Sequence, residues 1–255
     1  MEIDISVLNA EEVLPQECVQ DYRKGMEALY RQLVHLNTNI FILERIAEFP
    51  FSLFVTPGES IFLRMVFANF ASASLLIITR IATDTDVDLL TLPQFKNWLR
   101  QHVRDQYKDA FDARLKAVRF NKETIALLKR AKQVRDEQLA HLTRATATGT
   151  SEASNIFLSE LKSLRDALNS LMDALAFNVD HLLLPLEYSP RVSSARQART
   201  KPDIERLLDC IAQRSALLNM PESNPEEWNH QRKRLSSEEV AILNQYRKKF
   251  GLPEA

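Results

Sequence analysis

The feature that most constrains the fold of this chain is a long apolar stripe near its start. Its members recur at alternating steps of three and four residues: Val19, Tyr22, Met26, Leu29, Leu33, Leu36, Ile40 and Leu43. Because an α-helix repeats about every 3.6 residues, this spacing places the apolar side chains along one face of one helix. The stripe therefore predicts a long amphipathic helix that ends at Pro50.

Local start signals predict a second and a third helix. Thr56-Pro57-Gly58-Glu59 combines an N-cap Thr, a Pro at the first helical position and a Glu three residues after the cap. This signal predicts a second helix that runs to about Thr83. Thr91-Leu92-Pro93-Gln94 repeats the signal and opens a third helix, which carries the basic and aromatic stretch Phe95 to Tyr107. We expect the aromatic side chains of that stretch to lie in the core.

Two further helices follow before the composition changes. Asn121 is expected to cap a fourth helix through about Leu142, and residues 143–154 are small and polar, which is typical of a loop. A fifth helix carries leucines at heptad spacing: Leu161, Leu164, Leu168, Leu171 and Leu175. Only 4 Gly and 10 Pro occur in the chain, and the Pro fall at segment edges, which argues against a β-sandwich or barrel. The sequence predicts an all-α fold, an antiparallel helical bundle of about five helices.

The chain changes character after this bundle. Residues 189–202 are rich in Ser and Arg and are expected to form a basic linker, so we place the bundle domain at residues 1–188. Residues 203–255 are expected to form a small helical C-terminal appendage of two short helices. One should run from Thr200 to about Leu218, and the other should be capped by Ser236 and end before Gly251.

The sequence predicts a soluble cytoplasmic protein without a membrane partner. The most apolar run, Met65 to Thr79, is about 15 residues long, short of the roughly 20 needed to span a bilayer, so we expect a buried core helix there. The N-terminal residues lack the basic and apolar pattern of a secretory signal. Cys18 and Cys210 are expected to be ordinary buried thiols, because two isolated cysteines support neither a disulfide scaffold nor a thiolate metal site.

Composition and motifs exclude several classes of function. The 33 basic and 34 acidic residues nearly cancel, so any contact with nucleic acid must be local. The chain has no Gly-rich phosphate loop, nucleophile elbow or His-Glu-x-x-His segment. Asp84, Asp86 and Asp88 lack the glycine and terminal glutamate of a calcium loop. We therefore expect neither a metal nor another cofactor.

One charged residue breaks the pattern of the fourth helix. Leu128, Ala131, Leu139 and Leu142 form its apolar stripe, and Arg135 falls in the middle of that stripe. A guanidinium on a core-facing line is costly unless it is paired or hydrated. Two explanations are open. Arg135 has a structural role, in which it pairs with a buried carboxylate or reaches solvent, or its guanidinium serves a function.

The segment that begins at Arg135 resembles the signature of the HEPN superfamily, in which an Arg and a polar residue are followed a short way on by a His. Asp136 occupies the polar position and His141 the histidine position. The preceding apolar helix ends in Arg80-Ile81-Ala82-Thr83-Asp84, and this string together with Leu139-Ala140-His141 resembles the abortive-infection AbiU branch. The resemblance covers roughly residues 15–188 and implies a helical bundle.

The resemblance implies a metal-independent ribonuclease that acts in abortive infection or as a toxin. His141 would be the general acid or base, Arg135 would hold the phosphate, and Asp136 would orient one of these two groups. The resemblance also implies a homodimer that brings two such helices together, an RNA substrate, and a possible antitoxin or regulatory protein. Basic residues that could contact RNA are Arg144, Arg191 and Arg196.

Two other functions remain open from the sequence. A non-catalytic helical protein could bind a partner through its bundle or its C-terminal appendage, because coiled packing alone explains the heptad stripes. A nucleotide-binding module is the third alternative, since some relatives of the superfamily lack ribonuclease activity. The basic residues of the 189–202 segment could equally belong to a solvated linker.

Overall fold

A computed structural model describes residues 4–56, 60–84, 90–118, 120–140, 155–178 and 202–254. All regular elements in these ranges are helices, which confirms the all-α prediction. The chain divides into two compact units. The first unit comprises Met1–Phe41 and Asn69–Ser189, and the second comprises Ile42–Ala68 and Pro190–Ala255.

Most of the long helices belong wholly or partly to the first unit. After a short 3-10 turn at Ile5–Val7, its helices are α1 (Ala10–Val13), α2 (Gln16–Glu48), α4 (Ser60–Ala82), α5 (Leu92–His102), α6 (Asp105–Ala117), α7 (Lys122–Val134) and α8 (Leu158–Leu175). The last residues of α2 and the first residues of α4 are assigned to the second unit. A π-helix, Arg135–Ala140, continues directly from α7.

The apolar stripes predicted from the sequence form the core of the first unit. The α2 stripe from Val19 to Ile40 is buried in this unit, and so are the five heptad leucines of α8. The last member of the stripe, Leu43, is also buried but belongs to the second unit. Asn37 and Asn169 exchange side-chain hydrogen bonds of 3.2 and 2.9 Å across the interior, which satisfies both buried amides. Gly25 allows α2 to lie close to α5, because a Cβ atom there would come within 2.5 Å of the Phe95 ring.

The predicted third helix is in fact two helices. α5 ends at His102 and α6 begins at Asp105, while Val103 and Arg104 between them have extended backbone angles. The Val103 side chain is buried, and the Arg104 backbone N–H donates a 3.0 Å hydrogen bond to the Val13 carbonyl. These tertiary contacts hold the chain out of the helical conformation at this point. Phe95 is buried as expected.

Helix α4 is less buried than the core helix that we expected. It has 23 residues, and by length and composition alone it could cross a membrane, a criterion that core helices of soluble proteins also meet. Only 22% of its most apolar window is buried. Its exposed apolar side chains are Ile61, Phe62, Met65 and Leu76. The helix extends beyond the Met65 to Thr79 run at both ends, and the burial expected for that run is not seen.

The second unit has more helices than the two expected after the linker. Its elements are α3 (Phe51–Phe54), α9 (Asp203–Arg214), α10 (Ala216–Ser223), α11 (Pro225–Arg232) and α12 (Ser237–Lys249). The predicted helix to Leu218 is interrupted at the buried, extended Ser215. Asn224 and Pro225 start α11 with a side-chain cap and a Pro at the first position. The capping box at Ser236 is confirmed, and Gly251 follows the end of α12 with φ +74°.

A separate apolar core holds the second unit together. It consists of Phe49, Leu53, Phe54, Leu208, Ala212, Leu218, Trp228 and Leu243. Residues 42–68, which the sequence analysis placed in the bundle, are thus part of this unit. The proposed linker at 189–201 lies outside the described residues, and the domain boundaries stay a prediction. Cys18 is buried as expected, but Cys210 is exposed because it lies opposite the buried Leu208 and Ala212 on α9.

Candidate active site around Arg135

Helix α7 carries Arg135 from a well-defined start to the π-helix. The Asn121 side chain accepts a 2.9 Å hydrogen bond from the Thr124 backbone N–H, which caps α7 as predicted. Leu128, Ala131 and Val134 bury one face of α7. An ion pair between Arg130 and Glu160 joins α7 to α8. These contacts fix the end of α7, where Arg135 begins the π-helix.

Arg135 is held by two carboxylates. Its Nη1 donates to Asp84 Oδ1 at 2.8 Å, and its Nε donates to Asp136 Oδ1 at 2.8 Å. Its Nη2 also lies 2.8 Å from Asp136 Oδ1. Only 16% of the Arg135 side chain and 24% of the Asp84 side chain are exposed. The charged residue on the apolar stripe is therefore paired, and its more buried partner is Asp84.

The electrostatics keep the Arg135 guanidinium charged. Burial alone would lower the pKa of Arg135, but the hydrogen bonds and charges of Asp84 and Asp136 outweigh burial and raise it. The cluster contains one positive and two negative side chains, so its formal net charge is −1 (+1 − 2). An anion that binds the guanidinium is therefore repelled by the negative charges of both carboxylates.

The backbone changes its winding at this same residue. Arg135–Ala140 forms a π-helix, in which hydrogen bonds run from residue i to residue i+5. Such segments are rare and occur often at functional sites. Asp136 is the second residue of this segment, and in the sequence His141 follows Ala140 directly. The side-chain spacing of an ideal α-helix, on which the predicted apolar stripe of the fourth helix rests, therefore does not apply beyond Val134.

The predicted site residues are described only in part. Arg135 and Asp136 lie together, as the distances above show. His141, Arg144, Arg191 and Arg196 lie outside the described residues, as do Asp86 and Asp88. Among the residues that the structure describes, no group of three or more His, Cys, Asp or Glu side chains could hold a metal ion.

Sequence reasoning missed Asp84 as the partner of Arg135. Asp84 follows the end of α4, 51 residues before Arg135, so no local spacing could connect the two. Two sequence features together could have suggested this pair: a carboxylate at the end of one apolar helix, and an Arg on the apolar stripe of another helix. From the sequence alone, Asp84 was named only in the string that resembles the AbiU branch and in an Asp group that lacks the pattern of a calcium loop.

A cationic groove on the first unit was also missed. It has a volume of about 470 Å³, and its positive side chains are Lys96, Arg100 and Lys116. Arg100 pairs with Asp112 at 2.8 Å, and the apolar walls include Phe120 and Ile125. Ile125 lies on the same α7 that leads into Arg135. An anion with an apolar part, such as a nucleotide, matches this lining.

Comparison with known proteins identifies the family of the chain. No curated protein and no solved structure matches the chain. The model of the HEPN_AbiU2 family, described as AbiU2, matches residues 26–195, which is more than half of the 255-residue chain. The match contains the whole segment from Asp84 to His141. The chain belongs to the HEPN AbiU2 family, and so to the HEPN superfamily suggested by the Arg135 to His141 segment.

Proposed function

We propose that this abortive-infection-related HEPN protein is a metal-independent endoribonuclease that acts as a homodimer. The observation that carries the proposal is the Arg135–Asp136 pair at the start of a π-helix, with His141 next after that segment in the sequence. The family match supports it because the match includes this segment. An effector role in phage defence and control by an antitoxin or other regulatory protein belong to the same proposal.

The proposed reaction uses the ribose 2′-OH as the nucleophile. The 2′ oxygen attacks the adjacent phosphorus while its proton moves to a base. The bond from phosphorus to the 5′ oxygen breaks, and an acid protonates that oxygen. The products are a 2′,3′-cyclic phosphate and a 5′-hydroxyl end. A neutral histidine suits the base and a protonated one suits the acid, because the ordinary histidine pKa lies close to neutrality.

Arg135 would stabilise the charge that develops on the phosphate. Its planar guanidinium can give two parallel hydrogen bonds to phosphate oxygens. Asp136 would hold the guanidinium through the Nε hydrogen bond of 2.8 Å. DNA should resist cleavage because it lacks the attacking hydroxyl.

The dimer is part of the proposed mechanism. Each chain has one His in the motif, whereas the reaction needs a base and an acid at the same time. His141 of one protomer and His141 of the partner subunit would fill these two roles in a composite cleft. A protein that remains a monomer at micromolar concentration in light scattering would contradict this assembly.

Incubation of the purified protein with single-stranded RNA in EDTA tests the chemistry. We expect cleavage to 2′,3′-cyclic phosphate ends, and we expect His141→Ala to lower the rate by about 10² to 10⁴. His35→Ala is the matched control, because His35 is exposed on α2 and lies outside the motif. Wild-type protein that leaves RNA intact, or a His141→Ala variant that cleaves normally, would favour the alternative of a non-catalytic interaction protein.

A further inference from the structure

Asp84 and Asp136, the partners of Arg135 among the residues that the structure describes, do not use all of its donors. An arginine side chain has five N–H groups, one on Nε and two on each terminal nitrogen. Asp136 accepts from Nε and lies beside Nη2, and Asp84 accepts from Nη1. Even if Asp136 also accepts from Nη2, one N–H remains on each terminal nitrogen. Each of these N–H groups can donate to an oxygen of a phosphate group.

The two carboxylates contribute differently to this arrangement. Asp136 is the next residue in the chain and has 44% of its side chain exposed, so its contact is local and solvated. Asp84 comes from the end of another helix and is more buried, with a 2.8 Å hydrogen bond to Nη1. Asp84 therefore ties the guanidinium to the rest of the first unit and restricts its rotation.

The same carboxylate also opposes a phosphate. A phosphodiester that binds the open N–H groups brings a negative charge close to Asp84, and solvent screens this repulsion less at a partly buried site than at the surface. An aspartate is thus a poor choice if tight binding of the substrate is the only requirement. An asparagine would keep an oxygen acceptor for Nη1 without the charge.

We propose that Asp84 is the positioning residue of the phosphate site, which aligns the Arg135 guanidinium while its charge keeps ground-state binding of the substrate weak. This inference rests on the proposed function in taking the phosphate as part of RNA. Only interactions that strengthen in the transition state raise the chemical rate. Alignment of Arg135 is expected to favour the transition state, and the Asp84 charge is expected to weaken binding of the substrate.

Binding of a probe that cannot react tests the charge. The probe is a 2′-O-methyl oligoribonucleotide, which lacks the attacking hydroxyl, and its affinity is measured by fluorescence anisotropy. Asp84→Asn should bind it about tenfold more tightly than wild type, and the added substitution Arg135→Gln should abolish the gain. Asp166→Asn is the matched control, since Asp166 pairs with its neighbour Arg165 at 2.8 Å on α8. It changes net charge equally and should have little effect.

Cleavage kinetics test the positioning. Asp84→Asn should lower KM and keep kcat within about threefold, because the asparagine oxygen still holds Nη1. Asp84→Ala should lower kcat by about tenfold or more, because the guanidinium loses this anchor. A partner that is only structural would change the melting temperature in both variants without this split between kcat and KM.

The outcomes separate this inference from the proposed function. Wild-type protein that cleaves no RNA, together with tighter probe binding by Asp84→Asn, would overturn the ribonuclease proposal and support the charge effect on a phosphate site. Probe binding by Asp84→Asn that equals that of Asp166→Asn would overturn the inference, whether or not RNA is cleaved. Equal kcat values for Asp84→Asn and Asp84→Ala would overturn the positioning role.

Discussion

Arg135 in the first unit and Arg247 in the second unit are both largely removed from solvent, and the two are held in different ways. Arg247 in the second unit has 0% exposure and donates to the carbonyls of Leu218 and Pro253 and to Glu222. Arg135 in the first unit is bound by the carboxylates of Asp84 and Asp136 and has 16% exposure. Backbone carbonyls cannot move away without unfolding, whereas side-chain carboxylates can exchange partners.

The difference indicates different roles for the two residues. Arg247 connects α12 with the end of α10 and with the C-terminal residues, so its guanidinium is part of the fold of the second unit. The hydrogen bond from Arg247 lowers the pKa of Glu222. Arg135 pairs, among the described residues, with side-chain carboxylates and begins a π-helix. Burial alone would not have distinguished a structural arginine from a candidate site residue.

The largest expected effect comes from removing the structural arginine. Arg247→Met leaves two carbonyls and Glu222 without their donor, and we expect it to destabilise the second unit by about 3–5 kcal/mol. Arg135→Met is the matched substitution and should cost about 1 kcal/mol, because Asp84 and Asp136 can be hydrated.

The two tryptophans of the chain allow this comparison to be measured. Trp228 belongs to the core of the second unit, and Trp98 lies on α5 of the first unit. Urea unfolding followed by fluorescence in a Trp98→Phe background reports on Trp228 alone, and a Trp228→Phe background reports on Trp98. Equal losses of stability for Arg247→Met and Arg135→Met, each read in its own unit, would remove the distinction between the two arginines.

The first unit also contains a buried polar side chain, that of Tyr22, which is hydrogen-bonded to backbone groups. The Tyr22 hydroxyl accepts a 2.8 Å hydrogen bond from the Phe177 backbone N–H and donates to the Leu175 carbonyl at 3.4 Å. Burial raises the pKa of Tyr22 from 10.0 to about 12. Because the folded-state pKa is the higher one, the associated stability is complete below pH 10 and is lost as the pH rises to about 12. Its size is about 3 kcal/mol, since one pKa unit corresponds to about 1.4 kcal/mol.

We therefore expect Tyr22→Phe to change how stability depends on pH. At neutral pH the variant should lose about 1–3 kcal/mol, because the Phe177 N–H loses its acceptor. Between pH 10 and 12 wild type should lose more stability than the variant, which lacks this ionisation. Urea unfolding across this range measures the difference, with Tyr107→Phe as the control. Parallel pH profiles for wild type and Tyr22→Phe would show that Tyr22 does not titrate in this way.

The sequence predicted the features that depend on neighbours in the chain. The α2 stripe and the caps at Thr91, Asn121 and Ser236 were all correct, because three or four consecutive residues decide a helix start. The break before α6 was missed because it depends on the distant Val13 carbonyl.

The candidate site shows the same limit. Arg135 and Asp136 could be found from their local pattern, and the family match covers them. Asp84 could not be assigned as a partner, because the fold brings it to Arg135 from the end of α4. In the second unit, the break at Ser215 was missed inside a helix predicted to run to about Leu218, and the start of α11 at Asn224 was missed because no helix was predicted between the two short ones.

The smallest expected effect concerns cations that are not buried. If RNA binds the first unit, Lys96 and Lys116 of the groove should each neutralise a phosphate. The double variant Lys96→Gln/Lys116→Gln should then reduce the slope of log affinity against log salt by about 1.4, since each single-strand contact contributes about 0.7. A fourfold rise in salt, from 50 to 200 mM, would weaken wild-type binding about sevenfold more than binding by the variant.

The second unit supplies the matched control for this measurement. Lys233→Gln/Lys248→Gln removes the same charge from two exposed lysines outside the groove. The non-reactive 2′-O-methyl probe, titrated at several salt concentrations, gives the slope for each variant. An equal reduction for both pairs would mean that net charge, and not the groove, sets the affinity. A reduction confined to Lys96 and Lys116 would place the ligand-binding cations in the unit that also contains Arg135. Binding of RNA would then be a further difference between that unit and the one that Arg247 stabilises.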